Sequence, residues 1–178
     1  MAKFKIEDAL NLRAGKNFQI DSVDPSSTPG FDGDKEELDA RFSKYDDVLY
    51  ELQERLFANG RAYGEDAPAA LIVLQGMDTS GKGGAIRHVF STFDPQGTTT
   101  VGFGKPTEEE LKHDFLWRIR KHDPKPGQIV AFDRSHYEDV LIQRVHEWVD
   151  EEEVDRRIEA IRDYELELTA RGVKVIKD

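Results

Sequence analysis

The chain has 178 residues, a length that fits one compact domain with a core of its own. Hydrophobic residues make up 38% and charged residues 34%, with ten Phe, five Tyr and two Trp, so the chain has the apolar material of a globular protein rather than a disordered one. A net charge of −11 argues against a surface that gathers nucleic acid or anionic lipid, and the absence of cysteine excludes disulfides, thiolate metal sites and cysteine nucleophiles.

The first stretch, "MAKFKIEDALNLRAGKNF", is charged throughout and lacks the apolar run of a signal peptide. No segment approaches the roughly 20 apolar residues of a membrane span, so the expected address is the cytoplasm, with no membrane and no nucleic acid as partners. Residues 1–34 have no sustained period and include "DSVDPSSTPGFDGD", which predicts an extended arm ahead of a domain over 35–178. From Glu36 to Ala58, Leu38, Phe42, Tyr45, Val48, Leu49, Leu52 and Leu56 recur at helical spacing and predict a long amphipathic helix.

"AALIVLQ" then forms a short unbroken apolar run between Pro68 and Gly76, as expected of a parallel strand covered on both faces. After the loop that follows, Ala85, Ile86, Val89, Phe90 and Phe93 mark one face of a helix closed by "DPQG". "TTTVGF" reads as a strand, and Thr107 with Glu110 forms a capping box that predicts a helix through about Lys121. "DPKPGQ" turns the chain into a second buried strand, "IVAFD". A helix is predicted over 138–148, and Asp150 with Glu153 caps another that carries Val154, Ile158, Ile161, Tyr164 and Leu168. Gly172 ends it, and "VKVIK" is the last strand. Alternation of this kind implies an α/β fold, a parallel sheet with helices on both faces joined by right-handed crossovers.

"GMDTSGKGG" lies between strand and helix, the context in which a phosphate-binding loop works. Gly76, Gly81 and Lys82 occupy the fixed places of that pattern. Backbone N–H groups and the helix N-terminus favour an anion there, and Lys82 adds a mobile positive charge for bridging and terminal phosphates. Gly83 and Gly84 put no side chain at the helix mouth, so a phosphate chain can approach closely. Gly83 also stands where a metal-holding hydroxyl is usual. Asp78, flanked by Met77, Thr79 and Ser80, is the candidate to replace it, as metal ligand or as proton acceptor. The bland alternative is a glycine-rich turn with a solvated acid and lysine.

Asp133 ends a buried strand, and ligands of open parallel sheets bind beyond those ends, so it should share a crevice with the loop as a second metal-holding acid. The alternative is that Asp133 only caps the helix near Glu138. Arg134 follows and is placed to neutralise a transferring phosphoryl group. Lys105 sits just past a strand end, where it can reach the crevice. Arg118 is ambiguous, since an arginine beside Trp117 equally well shields the ring with its stem. His136 and His146 are ten apart, not the three or four that gathers ligands on a helix, and His113-Asp114 alone is a weak metal signal. The run "DEEEVD" reads as a charged helix start.

The stretches "LQGMDTSGKGGAIRHVF", "FGKPTEEELKHDFLWRIRKHDPKPGQIVAFDRSHYEDVLIQRVH" and "GVKVIK", spanning roughly residues 36 to 177, resemble the polyphosphate kinase 2 family. Members of that family transfer phosphoryl groups between inorganic polyphosphate and nucleotides. The resemblance implies a three-layer α/β/α phosphate-loop (P-loop) kinase core with a helical lid. It implies dependence on Mg²⁺, with Mn²⁺ as an alternative, and a phosphate-lined channel. It implies catalytic roles for Asp78, Lys82, Asp133 and Arg134, with Asp78 and Asp133 also as metal ligands, and, less directly, a place for Lys105 and Arg118 on the polyphosphate path. Gly83 is ordinary in the family. The implied substrates are polyphosphate with ADP, AMP or both, ATP being the product or the reverse donor, and the implied assembly is a dimer or tetramer. The family continues past "VKVIK" into lid helices, so the domain is expected to be C-terminally incomplete. Two rival expectations stand beside this one: an ATP-dependent nucleoside monophosphate or small-molecule kinase, and a non-catalytic polyphosphate-binding fragment.

Overall fold

The structure is a computed structural model that describes residues 15–24, 26–28 and 31–177. Within the arm expected over 1–34, residues 1–14, 25, 29 and 30 lie outside the described residues. The chain divides into two units, 1–45 and 46–178, and helix α1, Lys35–Tyr63, spans the division.

In the first unit the described residues before α1 hold one 3₁₀ turn, Ile20–Ser22. The Asp24 carboxylate accepts from the Ser26 amide at 2.8 Å and its hydroxyl at 2.7 Å, a local Asp-built turn. Asp34 caps α1 by accepting from the Glu37 amide at 2.9 Å, and Arg41 stands 4.8 Å from the centre of the Phe31 ring.

The second unit is built on four strands, β1 (Ala69–Leu74), β2 (Thr98–Gly102), β3 (Ile129–Asp133) and β4 (Val173–Lys177), in the spatial order β2-β3-β1-β4 with every pair parallel. Helices α2 (Lys82–Phe90), α3 (Trp117–Arg120), α4 (Glu138–Val145) and α5 (Glu151–Ala170) fill the crossovers. Leu71 pairs with Val130 and Val73 with Phe132, so these four side chains share one face of the sheet. There they pack in one cluster with Val154, Ile161, Tyr164 and Leu168 of α5. Each large side chain buried in this way contributes roughly 1.5–3 kcal/mol. Gly172, at φ 80°, closes α5 in the left-handed conformation and turns the chain into β4. The expected parallel α/β architecture is therefore present.

Three elements depart from their sequence patterns. The Thr107–Glu110 box forms in both directions, with Thr107 N–H donating to Glu110 at 2.8 Å and Glu110 N–H to the Thr107 hydroxyl at 3.3 Å. It opens only one 3₁₀ turn, Glu110–Lys112, because His113 is extended and the Asp114 carboxylate accepts from the Leu116 amide at 2.9 Å, starting α3 afresh. Helix α4 stops at Val145 rather than 148, and Glu147 just beyond has φ 54°. On α1 the apolar stripe is not the buried face: Phe42 and Tyr45 in the first unit and Val48 and Leu52 in the second are exposed, whereas Gln53 is buried.

The part of α1 in the second unit docks through Gln53 and Gly60 rather than through the exposed Val48 and Leu52. The Gln53 carbonyl oxygen accepts from the Asp94 amide at 3.0 Å. A Cβ added to Gly60 would lie 2.8 Å from Gly127 Cα and nearer still to the Pro126 carbonyl. Helix propensity favours Gly60→Ala by about 1 kcal/mol, yet backbone cannot step aside as a flexible side chain can. Gly60→Ala should therefore destabilise the protein by about 1–3 kcal/mol, read as a lower urea midpoint. An unchanged or higher midpoint would rule out this close approach. Among the described residues no helix is long and apolar enough to cross a membrane.

Candidate active site

Leu74 and Gly102 both pair with Asp133, so β1, β2 and β3 end in one row. The chain leaves β1 toward β2 on one side and leaves β3 toward β4 on the other. Connections that diverge from neighbouring strands open a crevice at their carboxyl ends. A cleft of about 390 Å³ lies here, lined by residues 78–84 and by Asp133 and Arg134.

The loop is shaped by its small residues. A Cβ on Gly76 would stand 2.7 Å from the Ser80 hydroxyl, and Gly81 has φ 100°. Gly83 and Gly84 face open space, with nothing within 4 Å of an added Cβ. The first intrahelical bond of α2 runs from Ala85 N–H to Gly81 at 2.9 Å, so the N–H groups of Lys82, Gly83 and Gly84 precede any helical acceptor. Such a helix start attracts an anion.

Charge in the cleft is internally matched. Lys82 folds back and donates to the carbonyls of Gly76 and Met77, both at 2.7 Å. Arg134 donates to Asp78 at 2.7 Å, with Asp78 82% exposed. Thr79 and Arg134 have φ of 67° and 63°, a left-handed conformation unusual for non-glycine residues and typical of functional turns. Asp133 lines the same cleft, and it does not cap α4, whose first turn is closed by Glu138 N–H donating to the Ser135 carbonyl at 3.1 Å.

Asp78, Thr79, Ser80, Gly81, Lys82, Gly83, Gly84, Asp133 and Arg134 are thus brought together, with Gly76 and Met77 behind them as acceptors for Lys82. Lys105 is exposed beyond β2 and does not line the cleft. Arg118 is buried away from Trp117. Its guanidinium donates to the Gly104 carbonyl at 2.9 Å, lies 5.2 Å from the Phe103 ring centre and faces a separate cavity of about 130 Å³ with Glu110, Asp139 and Arg157. The Trp117 ring is covered instead by Lys121, 3.1 Å from its centre, and by His113, stacked at 3.8 Å. In the second cavity, burial pushes the Asp139 carboxyl upward against the opposing pull of Arg157.

Two sets of contacts behind the cleft have no sequence motif. The Gln75 amide donates to Glu138 at 2.8 Å while its carbonyl accepts from the Ser135 hydroxyl at 2.9 Å, tying the loop's first residue to the turn after β3. Glu165 of α5 accepts from Tyr137 at 2.8 Å and from Lys177 at 2.7 Å, and His136 Nε2 lies 3.4 Å from it. A polar residue ending an apolar strand was the only available signal for Gln75, and none marked Glu165.

Burial raises the Glu165 carboxyl, but hydrogen bonds from His136, Lys177 and Tyr137 outweigh it and hold the group at about 2. The folded value lies below the unfolded one, so this carboxylate stabilises the fold above about pH 4.5 and the contribution disappears as pH falls through 2. Wild type should therefore lose urea resistance between pH 4.5 and 2 more steeply than Glu165→Gln, and parallel curves would contradict this.

A parallel sheet whose first strand runs through a glycine-rich turn into a helix, with an acid ending the neighbouring strand, defines a phosphate-loop kinase fold. Residues 34–178 match the family described as Polyphosphate kinase 2 (PPK2). The chain belongs to the polyphosphate kinase 2 family. It is 39% identical over 160 residues to the AMP/ADP-polyphosphate phosphotransferase of Meiothermus ruber, covering 90% of this chain and 58% of that protein. It is 35% identical over 179 residues to the ADP-polyphosphate phosphotransferase of Rhodopseudomonas palustris, covering 93% and 60%. The crystal structure of Polyphosphate Kinase 2 from Arthrobacter aurescens TC1 superposes with a TM-score of 0.89 at 48% identity, covering 98% of this chain and 60% of that one. The chain thus spans about 60% of the length of these relatives.

Proposed function

We propose that this chain carries the transfer core of a polyphosphate:nucleotide phosphotransferase, moving a phosphoryl group reversibly between inorganic polyphosphate and ADP, AMP or both. The observation that carries the proposal is the single cleft in which loop amides, Lys82, Asp78, Asp133 and Arg134 converge at the strand ends. Family membership and the names of the relatives support the same substrates.

The donor set fits Mg²⁺. Among the described residues no three His, Asp or Glu side chains gather into a protein-only cage. Asp78 and Asp133 would hold the ion, as the one or two carboxylates that Mg²⁺ takes alongside phosphate oxygens and water. When bound, the ion would supply charge neutralisation to the phosphate chain. The chain's own groups do the rest. Loop N–H groups hold the phosphate chain, Lys82 leaves its carbonyls to follow it, and Arg134 balances charge on the transferring group as an in-line oxygen attacks. Little covalent help is needed, since alignment and electrostatics carry this chemistry.

The test is donor competition with purified protein, Mg²⁺ and ADP or AMP. Nucleotide phosphorylation from polyphosphate is expected. Turnover with ATP as donor to another acceptor and none with polyphosphate would overturn the proposal in favour of an ATP-dependent kinase, and tight polyphosphate binding without turnover would leave a binder only.

A further inference from the structure

Arg134 lines the cleft from the turn after β3, where its backbone is held in the left-handed conformation at φ 63°. A strained non-glycine residue of this kind persists where its surroundings over-determine it. The residues that follow are the anchor. Ser135 and His136 are buried, and the His136 ring meets Tyr164 edge-on at 5.4 Å and Tyr137 at 4.7 Å. Both His136 and Tyr137 direct a polar atom to one oxygen of Glu165, at 3.4 and 2.8 Å. The other Glu165 oxygen accepts from Lys177, which also donates to the Tyr137 hydroxyl at 3.1 Å. Among the described residues, Nδ1 of His136 has no partner, so Glu165 is the ring's polar attachment. One carboxylate on α5 thereby joins the turn to the end of β4.

We propose that Glu165 is a positioning residue: acting through Tyr137 and His136, it fixes the turn that presents the Arg134 guanidinium to the phosphate cleft. This rests on the phosphotransferase reading above. A carboxylate is needed because both of its oxygens accept. An amide of the same shape can satisfy either the Tyr137 and His136 side or Lys177, and it meets the other with a donor. The turn then relaxes, and displacement of a charged group by an ångström or so lowers transfer by up to about 10²-fold.

The experiment is a double-substitution cycle on kcat/KM for polyphosphate-dependent nucleotide phosphorylation, using wild type, Glu165→Gln, Arg134→Ala and the pair. Glu165→Gln should lower kcat/KM by about 10- to 100-fold alone and by less than about twofold once Arg134 is already absent. A merely structural role would cost the same factor in both backgrounds and would overturn the proposal, as would no loss in the single variant. If Glu165→Gln fails to fold, Tyr137→Phe, which removes only a hydroxyl, carries the same cycle. If wild type shows no transfer, the phosphotransferase reading fails. The four proteins are then titrated with inorganic tripolyphosphate by calorimetry, where additive losses, or no binding at all, overturn the positioning role as well.

Discussion

Lys82→Ala should lower polyphosphate-dependent nucleotide phosphorylation by about 10²–10³-fold, the scale found when one preorganised donor is removed from developing negative charge. The fold should scarcely notice. Lys82 donates to two carbonyls of its own loop, at Gly76 and Met77, and is not part of the buried core. Losing such partly solvated bonds costs about 1 kcal/mol. Steady-state rates set beside urea midpoints separate the two effects. A variant that keeps near-normal transfer would remove Lys82 from the chemistry, and a collapsed midpoint would move its role to the fold.

Asp133→Asn should act on a comparable scale, with a different signature. The side chain lines the cleft from the last position of β3, paired with Leu74 and Gly102, while its backbone carbonyl accepts from Phe103 N–H at 3.1 Å. Asparagine preserves that backbone and the side-chain volume but removes one of the two carboxylate charges that the proposed function offers to a divalent ion. Since such an ion supplies several kcal/mol of charge stabilisation, transfer should fall by about 10²–10³-fold. The Mg²⁺ concentration needed for half-maximal rate should rise, and excess Mg²⁺ should restore part of the loss. Loss of rate with an unchanged Mg²⁺ dependence would show that Asp133 serves something other than the ion.

What could be read in advance follows the range of the interaction. The strand, loop and helix from Ala69 to Phe90 were legible because an unbroken apolar run, fixed glycines and a helical period follow one another within 22 residues. Asp133 was legible for the same reason, as an acid ending an apolar strand. The Thr107–Glu110 box was legible as a start, but its length was not, because Asp114 offers a second, competing cap six residues before Arg120. The stripe on α1 misled because period identifies a helix without saying which side docks. The docking side is chosen by Gly60 and Gln53, whose partners lie more than 40 residues away. Arg118 stayed ambiguous because adjacency to Trp117 in sequence does not say which basic side chain covers the ring: Lys121 covers it, and Arg118 turns to the Gly104 carbonyl. Glu165 was invisible since its partners come from α4's entry turn and from β4, and no short pattern joins them.

The strand order also sets a timetable. β1 lies inside the sheet, yet both of its neighbours are made later: β3 begins at Ile129 and β4 at Val173, about 100 residues downstream. At synthesis rates of about 5–20 residues per second, the apolar segment 71–74 emerges with two unpaired edges and waits roughly 5–20 s for the second to be covered. Unpaired apolar strands are the places where chains adhere to one another. The strand that delivers the phosphate loop is therefore also a point at which the nascent chain is open to misassembly, its second edge covered only by β4, the strand whose end carries Lys177 to Glu165.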